Sequence, residues 1–492
     1  PGWAVVIADS FHAANRAASL IDIEWEAGET ASVSEEDILA EGRKVIGDAS
    51  KGALVWNDEG VDEAFASADS TLEAEYTTHS VLHFQLEPLN ALAYQREDGA
   101  WELHTGNQWQ NLILPTLAQA LGTEESKLNL RTYLLGGGFG RRLNGDYIVP
   151  AALASKALGG KPVKLVFTRE DDSRFDSMRS ASNQKLRMAF DGEGKVSAME
   201  HHAVAGWPTL VMAPFFMPKG ANDVAYDPFS ISGADHWYTV GPHRVRAATN
   251  ELANATFRPG WLRSVGPGWT NWALESFIDE AAHKLGVDPI DFRLSMLTGE
   301  GRNAGEAPNS VGGAKRQAAV LREVRKLSRW GRERLPADTG VGVATSFGQE
   351  RNMPTWTACV ARVKVDRDSG EVKLEKLTLV TDAGLVVSPD GGRAQVEGAA
   401  LWGASMALHE GTVIESGEVR DTNLGSYTPM RMRDVPELQV AFIDSKETPV
   451  GLGEPATTVV GPAIGNAIFD AVGARLREIP IRRDAVKAAL KA

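Results

Sequence analysis

The chain has 492 residues, 43% hydrophobic and 24% charged, with a formal net charge of −14. That length and composition suit a globular protein of about three domains, and the acidic balance counts against a nucleic-acid backbone as ligand, which needs clustered Lys and Arg. No unbroken apolar run is long enough to span a bilayer. The lone Cys359 allows no internal disulfide, iron–sulfur cluster or cysteine-rich zinc site, so any electron relay must sit on another chain.

Pro1 is not an initiator residue. Ala4–Ala8 reads as a strand, Asp9 or Ser10 caps a helix through Ser19, and Leu20–Trp25 reads as a second strand. The chain is therefore expected to open inside a βαβ-like unit, with a start that looks truncated or processed. No signal peptide is there to inspect, which leaves compartment open. The polar, acidic stretch Ala31–Val61 reads as a connection. Strands are expected at Glu73–Tyr76, Asn90–Gln95 and Trp101–His104, a helix over Leu112–Leu121 stopped by Gly122, a strand over Leu128–Leu135 and a helix over Tyr147–Leu158. Two hairpins follow, Gln184–Phe190 returning at Val196 and Thr357–Val365 returning at Val372. Between them lie an amphipathic helix, Phe277–Leu285, a linker at Gly299–Gly313 and a basic helix, Ala314–Arg329. Pro462–Leu476 reads as a buried helix with proline in its first turn, and Asp484 as the cap of a last helix.

Two motifs carry the chemistry. GGGFGRR, Gly136–Arg142, stands between a predicted strand and a predicted helix, an arrangement that presents N–H groups to an anion while the arginines add fixed charge. It lacks the Lys–Ser/Thr pair of a P-loop and the spacing of a dinucleotide fingerprint, which counts against nucleotide hydrolysis and a Rossmann dehydrogenase. Spacing alone leaves a structural glycine turn open. GLGEP, Gly451–Pro455, places Glu454 in a glycine-lined turn ahead of an apolar helix, where it reads either as a buried general acid or base or as a carboxylate offsetting a helix dipole. No histidine pattern suggests a metal: His201 and His202 are adjacent and would point to opposite faces of a strand. Trp207, Trp237, Trp261 and Trp269 flank glycine, proline and polar residues, so some are expected to face a cavity and stack on a planar substrate.

Together the two motifs resemble the molybdenum-cofactor-binding subunit of the xanthine oxidase and aldehyde oxidase family, of the isoquinoline 1-oxidoreductase beta-subunit type. Leu262–Gly266, followed by a helix containing Glu275, resembles the family's arginine–glycine pocket segment. Asp382–Gly384 with Gln395–Gly398 resembles the strand and helix start of a second cofactor-binding domain, although Ser388 stands where Asn is usual. His83–Phe84 with Leu86–Pro88 resembles a further pocket wall, which leaves His83 open as a contact or a satisfied core histidine.

The resemblance implies an α+β multi-domain fold with mixed sheets flanked by helices. Residues 1–30 would be the remnant of a hammerhead-like domain, and 31–300 and 314–492 the two molybdopterin-binding domains. It implies a molybdenum–molybdopterin cofactor, in the cytosine dinucleotide form common among bacterial relatives, bound by Gly137, Gly138, Phe139, Gly140, Arg141, Arg263, Gln395 and Gly453. The pterin would hold the metal without a protein ligand, Glu454 would take a proton from the attacking oxygen, and Leu143, Trp261, Leu262 and Val265 would line the substrate pocket.

The implied substrate is an N-heteroaromatic or an aldehyde, with water as oxygen source. Leu143 occupies the position where purine hydroxylases carry a glutamate, which counts against xanthine, and Val81 stands where many relatives have a glutamine on a metal oxo group. The implied partners are a small [2Fe–2S] subunit, a cytochrome c acceptor and a chain carrying the glycine–glutamine–glycine cofactor segment that is absent between Leu297 and Thr357. The isolated chain is then expected to bind cofactor poorly and expose an apolar surface, and the periplasm is favoured over the cytoplasm. A cofactor-free structural or assembly fragment is the second reading.

Overall fold

The computed structural model describes residues 2–298, 313–350 and 353–491. Among them are three sheets of four or more strands. The largest runs Ala53–Asn57, His243–Thr249, Val196–Ala205, Ser182–Phe190, Ser70–Thr78 and Glu478–Ile479 in spatial order, with two of its five pairings parallel. Asn90–Gln95 and Trp101–Thr105 lie at the centre of a small sheet, flanked by Val163–Val166 and Leu128–Thr132. The third sheet is a meander of Thr339–Glu350, Met353–Val365 and Val372–Asp382, joined in parallel by Glu437–Phe442. The sheets are mixed and helix-flanked, as the α+β expectation requires.

Three long helices pack between the sheets: Pro267–Leu285, Pro389–Leu408 and Pro455–Val472. Each begins with proline in its first turn, where the missing N–H leaves no hydrogen bond unmade. Leu186, Met188, Phe190, Phe277, Ile278, Val343, Val380, Val459 and Ile464 belong to one continuous core, so both halves of the chain share it. The last strand crosses back to complete the first sheet, with Glu478 opposite Thr77. The Pro267 helix is buried from Trp269 to Ala282 on every face, not amphipathic as its last turns suggest. Its three buried acids are answered by arginines, Glu275 by Arg293 at 2.8 Å, Asp279 by Arg475 at 3.0 Å and Glu280 by Arg477 at 2.6 Å. Buried charges persist only when paired in this way.

Several expected elements differ. The helix Phe11–Ala18 forms with Ser10 as its cap, but Ala4–Ala8 and Leu20–Trp25 are not strands. Neither segment pairs with a strand among the described residues, and Leu20 and Trp25 are exposed; an apolar stretch alone does not make a sheet. Ala31–Val61 is no mere connection: it holds the helix Glu35–Ile46, started by a Ser34–Asp37 capping box, and an edge strand. The apolar C-terminal helix starts at Pro455, and Pro462 lies inside it. Asp484 sits in the first turn of Arg483–Ala489 and does not cap it. The Gly299–Gly313 linker lies, apart from Gly313, outside the described residues.

The six-stranded sheet also carries a buried histidine cluster. Burial pulls His201 down to about 3 and His236 to about 4, and holds His243 well below its ordinary value. All three are neutral in the fold, whereas the unfolded chain takes up protons as pH falls through 6.5. The unfolded state then binds more protons, so stability is lost as pH falls from about 6.5 to about 3. The thermal midpoint is expected to drop across this range, and less steeply in His243→Leu. Equal slopes for the two proteins in a pH series of thermal melts would remove the cluster as a cause.

Candidate cofactor and active site

Five separate stretches of chain close around a cavity of about 450 Å³, lined by Gln108, by Phe139, Gly140 and Leu143, by Trp261 to Arg263 with Val265, by Ala394, Gln395 and Gly398, and by Gly453 and Glu454. The size is that of a small-molecule site. Phe139, Gly140, Arg263, Gln395, Gly453 and Glu454 thus meet Leu143, Trp261, Leu262 and Val265 in one place. Gly137, Gly138 and Arg141 do not line it.

The glycine loop is folded by contacts with its neighbours. Gly136 N donates to Glu87 Oε2 at 2.8 Å, Gly140 N and Arg142 N share Gln108 Oε1 at 3.1 and 3.2 Å, and Arg141 N donates to Gly138 O. The expected open row of N–H groups is therefore largely occupied, because Gln108 and Glu87 reach it first. A Cβ on Gly140 would fall 1.6 Å from Trp261 O, at φ +112, so only glycine lets the two loops touch. Arg141, expected to bind cofactor, is wholly buried: its guanidinium donates to Asp146 Oδ1 at 2.7 Å and to Phe175 O at 2.8 Å, and lies 3.2 Å from Asp176. Its charge is used inside the fold.

His83 belongs to the same buried network. Nδ1 faces Asp176 Oδ1 at 2.9 Å and Nε2 faces Trp261 O at 2.8 Å, which makes His83 a support behind the cavity wall. Burial raises the Asp176 carboxyl, but the facing His83 and Arg141 outweigh it and hold the group below its usual range. This network tolerates strain at the surface it supports. Phe139, Ser264 and Val265 all have positive φ, at +53, +80 and +35, each costing about 1–3 kcal/mol. Arg263 N donates to Phe139 O at 2.8 Å, and the Phe139 ring stands edge-on to Trp402 at 4.7 Å.

Glu454 is placed across this loop by the C-terminal half. It is the N-cap residue of the Pro455 helix, and its carbonyl accepts from Ser264 Oγ at 3.0 Å. Arg263 Nε donates to Gly453 O, its other arm reaches Gln395 Oε1 at 3.3 Å, and Thr355 holds Gly451 O from the far side at 2.7 Å. Burial lowers the Arg263 guanidinium and the facing Glu454 opposes that shift. The cavity so joins one carboxylate and one guanidinium with two amide side chains on an otherwise apolar and glycine-rich wall.

The molybdopterin cofactor-binding domain family matches residues 44–297, and a second molybdopterin cofactor-binding domain family matches 275–436. This chain belongs to the molybdopterin-binding subunits of the xanthine oxidase family. It is 60% identical over 98% of its length to a membrane-bound aldehyde dehydrogenase [pyrroloquinoline-quinone] of Gluconacetobacter polyoxogenes, of which it covers 62%. It is 30% identical over 86% of its length to isoquinoline 1-oxidoreductase subunit beta of Brevundimonas diminuta, covering 51% of that protein. The chain thus spans about half to three fifths of these two relatives. Its fold matches the aldehyde oxidoreductase of Desulfovibrio gigas with a TM-score of 0.79 at 19% identity, over 99% of this chain and 68% of that one. Quinoline 2-oxidoreductase from Pseudomonas putida 86 gives 0.78 at 16% identity, over 98% and 84%.

The cavity suits the family's cofactor. Space beside Gly398 is empty to 4 Å, and a Cβ on Gly453 would meet only Gln395 Oε1, at 3.8 Å. Together these glycines form a bare cradle that side chains would fill. Among the described residues there is no group of three or more His, Cys, Asp or Glu that could hold a metal ion. Gln108 was not anticipated, because nothing local in Gly106–Trp109 marks it; only the folded loop brings it to Gly140. Of the four tryptophans proposed for a cavity, Trp261 lines it, while Trp207, Trp237 and Trp269 are core.

Proposed function

We propose that this molybdopterin-binding subunit oxidises an aldehyde or an N-heteroaromatic compound with water as oxygen source, and that Glu454 is its general base. The convergence of Glu454, Arg263, Gln395 and the Gly453 cradle on one cavity carries this reading. When bound, molybdenum–molybdopterin supplies the two-electron oxidation. Gly398 and Gly453 leave room for it, Gln108, Gln395 and Arg263 offer polar contacts, and Phe139, Leu143 and Trp261 exclude water and bind a planar substrate. Glu454 accepts a proton from the oxygen that attacks the substrate carbon, as a carboxylate held beside apolar walls is suited to do. Leu143 leaves no acid for a purine, so aldehydes and simple heteroaromatics fit and xanthine does not.

The named relatives support this range, since one is called an aldehyde dehydrogenase and the other an isoquinoline 1-oxidoreductase subunit. Electrons then leave to a small [2Fe–2S] subunit and on to a cytochrome c, the pterin carries a cytosine dinucleotide, a segment outside this chain completes the cofactor site, and the periplasm is the favoured compartment. Among the described residues no helix is long and apolar enough to cross a membrane. One relative is named for a quinone, and metal analysis together with quinone extraction of the purified complex separates the two cofactors. We expect about one molybdenum per chain, no extractable quinone, and dye-linked oxidation of benzaldehyde or isoquinoline but not xanthine. A folded, active complex without molybdenum would refute the reading, and a folded, inactive one would favour the structural fragment.

A further inference from the structure

Behind the cavity lies a guanidinium that the fold leaves unanswered. Arg179 is 1% exposed, and its Nε and Nη1 have no hydrogen-bond partner. Its remaining nitrogen meets only Met406 Sδ, at 3.8 Å. Other arginines buried as deeply, Arg141, Arg142 and Arg293, each have a carboxylate within 3.0 Å. Arg179 is hydrogen-bonded along its backbone to Val81, and Val81, Met406 and Leu262 form one small cluster. Leu262 lines the cavity. The guanidinium is thus one layer of side chains from the site, behind a flexible thioether that repacks readily.

Its surroundings make the cation expensive. The Trp269 ring, 5.9 Å away, offers one cation–π contact, but Gly268, in the first turn of the Pro267 helix, abuts Nη1, so the positive end of a helix faces a positive side chain. Of the carboxylates only Glu410 acts on it appreciably, and that acid is held by Tyr427 at 2.8 Å and Trp402 at 3.2 Å, its carboxyl pushed up by burial. Burial pulls Arg179 down to about 10, which leaves it charged at neutral pH. Unpaired buried charge is strongly destabilising, and replacing it with an apolar group of similar size often stabilises a fold.

We propose that Arg179 is the anchor for an oxyanion that the cofactor or the oxidised carboxylate product carries to the inner wall of the cavity. Its unmade hydrogen bonds are completed only in the loaded protein, a proposal that rests in part on the molybdopterin reading. Two variants test it, Arg179→Met, which keeps the volume without the charge, and Arg179→Lys, which keeps the charge. In cofactor-free protein from a host that makes no molybdopterin, R179M should melt about 2 °C or more above wild type, with R179K close to wild type. This comparison stands whether or not the molybdopterin reading does.

In the loaded complex R179M should then lose about tenfold or more in one of two ligand measurements, as expected for a charge-assisted hydrogen bond. Molybdenum lost on dialysis puts the oxyanion on the cofactor. Molybdenum retained with weakened inhibition by benzoate puts it on the product. A cofactor-free R179M that melts below wild type would show that the guanidinium is already satisfied by the fold. Unchanged molybdenum retention and benzoate inhibition would show that it meets no ligand, and either result overturns the proposal.

Discussion

Glu454→Gln is expected to keep the fold and its molybdenum while lowering turnover by about 10²-fold or more, the usual scale of general-base assistance. The amide fills the same space as the carboxylate. Glu454 is anchored through its backbone, with its carbonyl on Ser264 Oγ and the preceding Gly453 carbonyl on Arg263, so the loop does not depend on the charge for its position. Steady-state kinetics with a dye acceptor and metal analysis on the same preparation read the two effects separately. Turnover near wild type would remove Glu454 from the role of base, and loss of molybdenum would make it a cofactor contact instead.

Gly140→Ala should be the most destabilising of the small glycine changes at this site. The new Cβ would collide with the Trp261 carbonyl in a conformation that side chains rarely adopt, and strain with overpacking together cost about 3–5 kcal/mol. A thermal midpoint lower by about 3–5 °C is expected even without cofactor. Gly453→Ala is the counterpart: nothing but Gln395 Oε1 lies near its added methyl. Its midpoint should stay within about 1 °C of wild type while molybdenum occupancy falls. If both variants melt alike, the two glycines do not divide into one for packing and one for the cradle.

The motifs were legible because each is short and local. GLGEP reveals an acid at a helix start, and GGGFGRR a tight loop after a strand, with no knowledge of what packs on them. Arg141 shows where such reading stops. An arginine after glycines looks like an anion binder, yet its charge is claimed by Asp146, Asp176 and the Phe175 carbonyl, and two of those partners arrive from more than thirty residues away. Gln108 and Arg179 were invisible for the same reason, since both matter through atoms that tertiary structure brings or withholds. In the fold, hairpins announced by alternation and turn residues came through, as at Ser182–Ala205. The reading of Ala4–Ala8 failed because apolar composition does not supply a neighbouring strand. Pro462 misled because proline in a long helix resembles a beginning, when Pro455 already occupied that place.

The strand Glu478–Ile479, hydrogen-bonded beside Ser70–Thr78, sets an order of events during synthesis. About four hundred residues separate the two partners, so the first sheet stays one strand short until that much more chain has been made. The cavity draws on residues from Gln108 to Glu454 and is subject to the same delay. Such distant pairing slows folding and leaves partly built sheet edges exposed to aggregation. Nascent chains therefore have to be sheltered over that interval, and the cavity cannot be complete before Glu454 has been made.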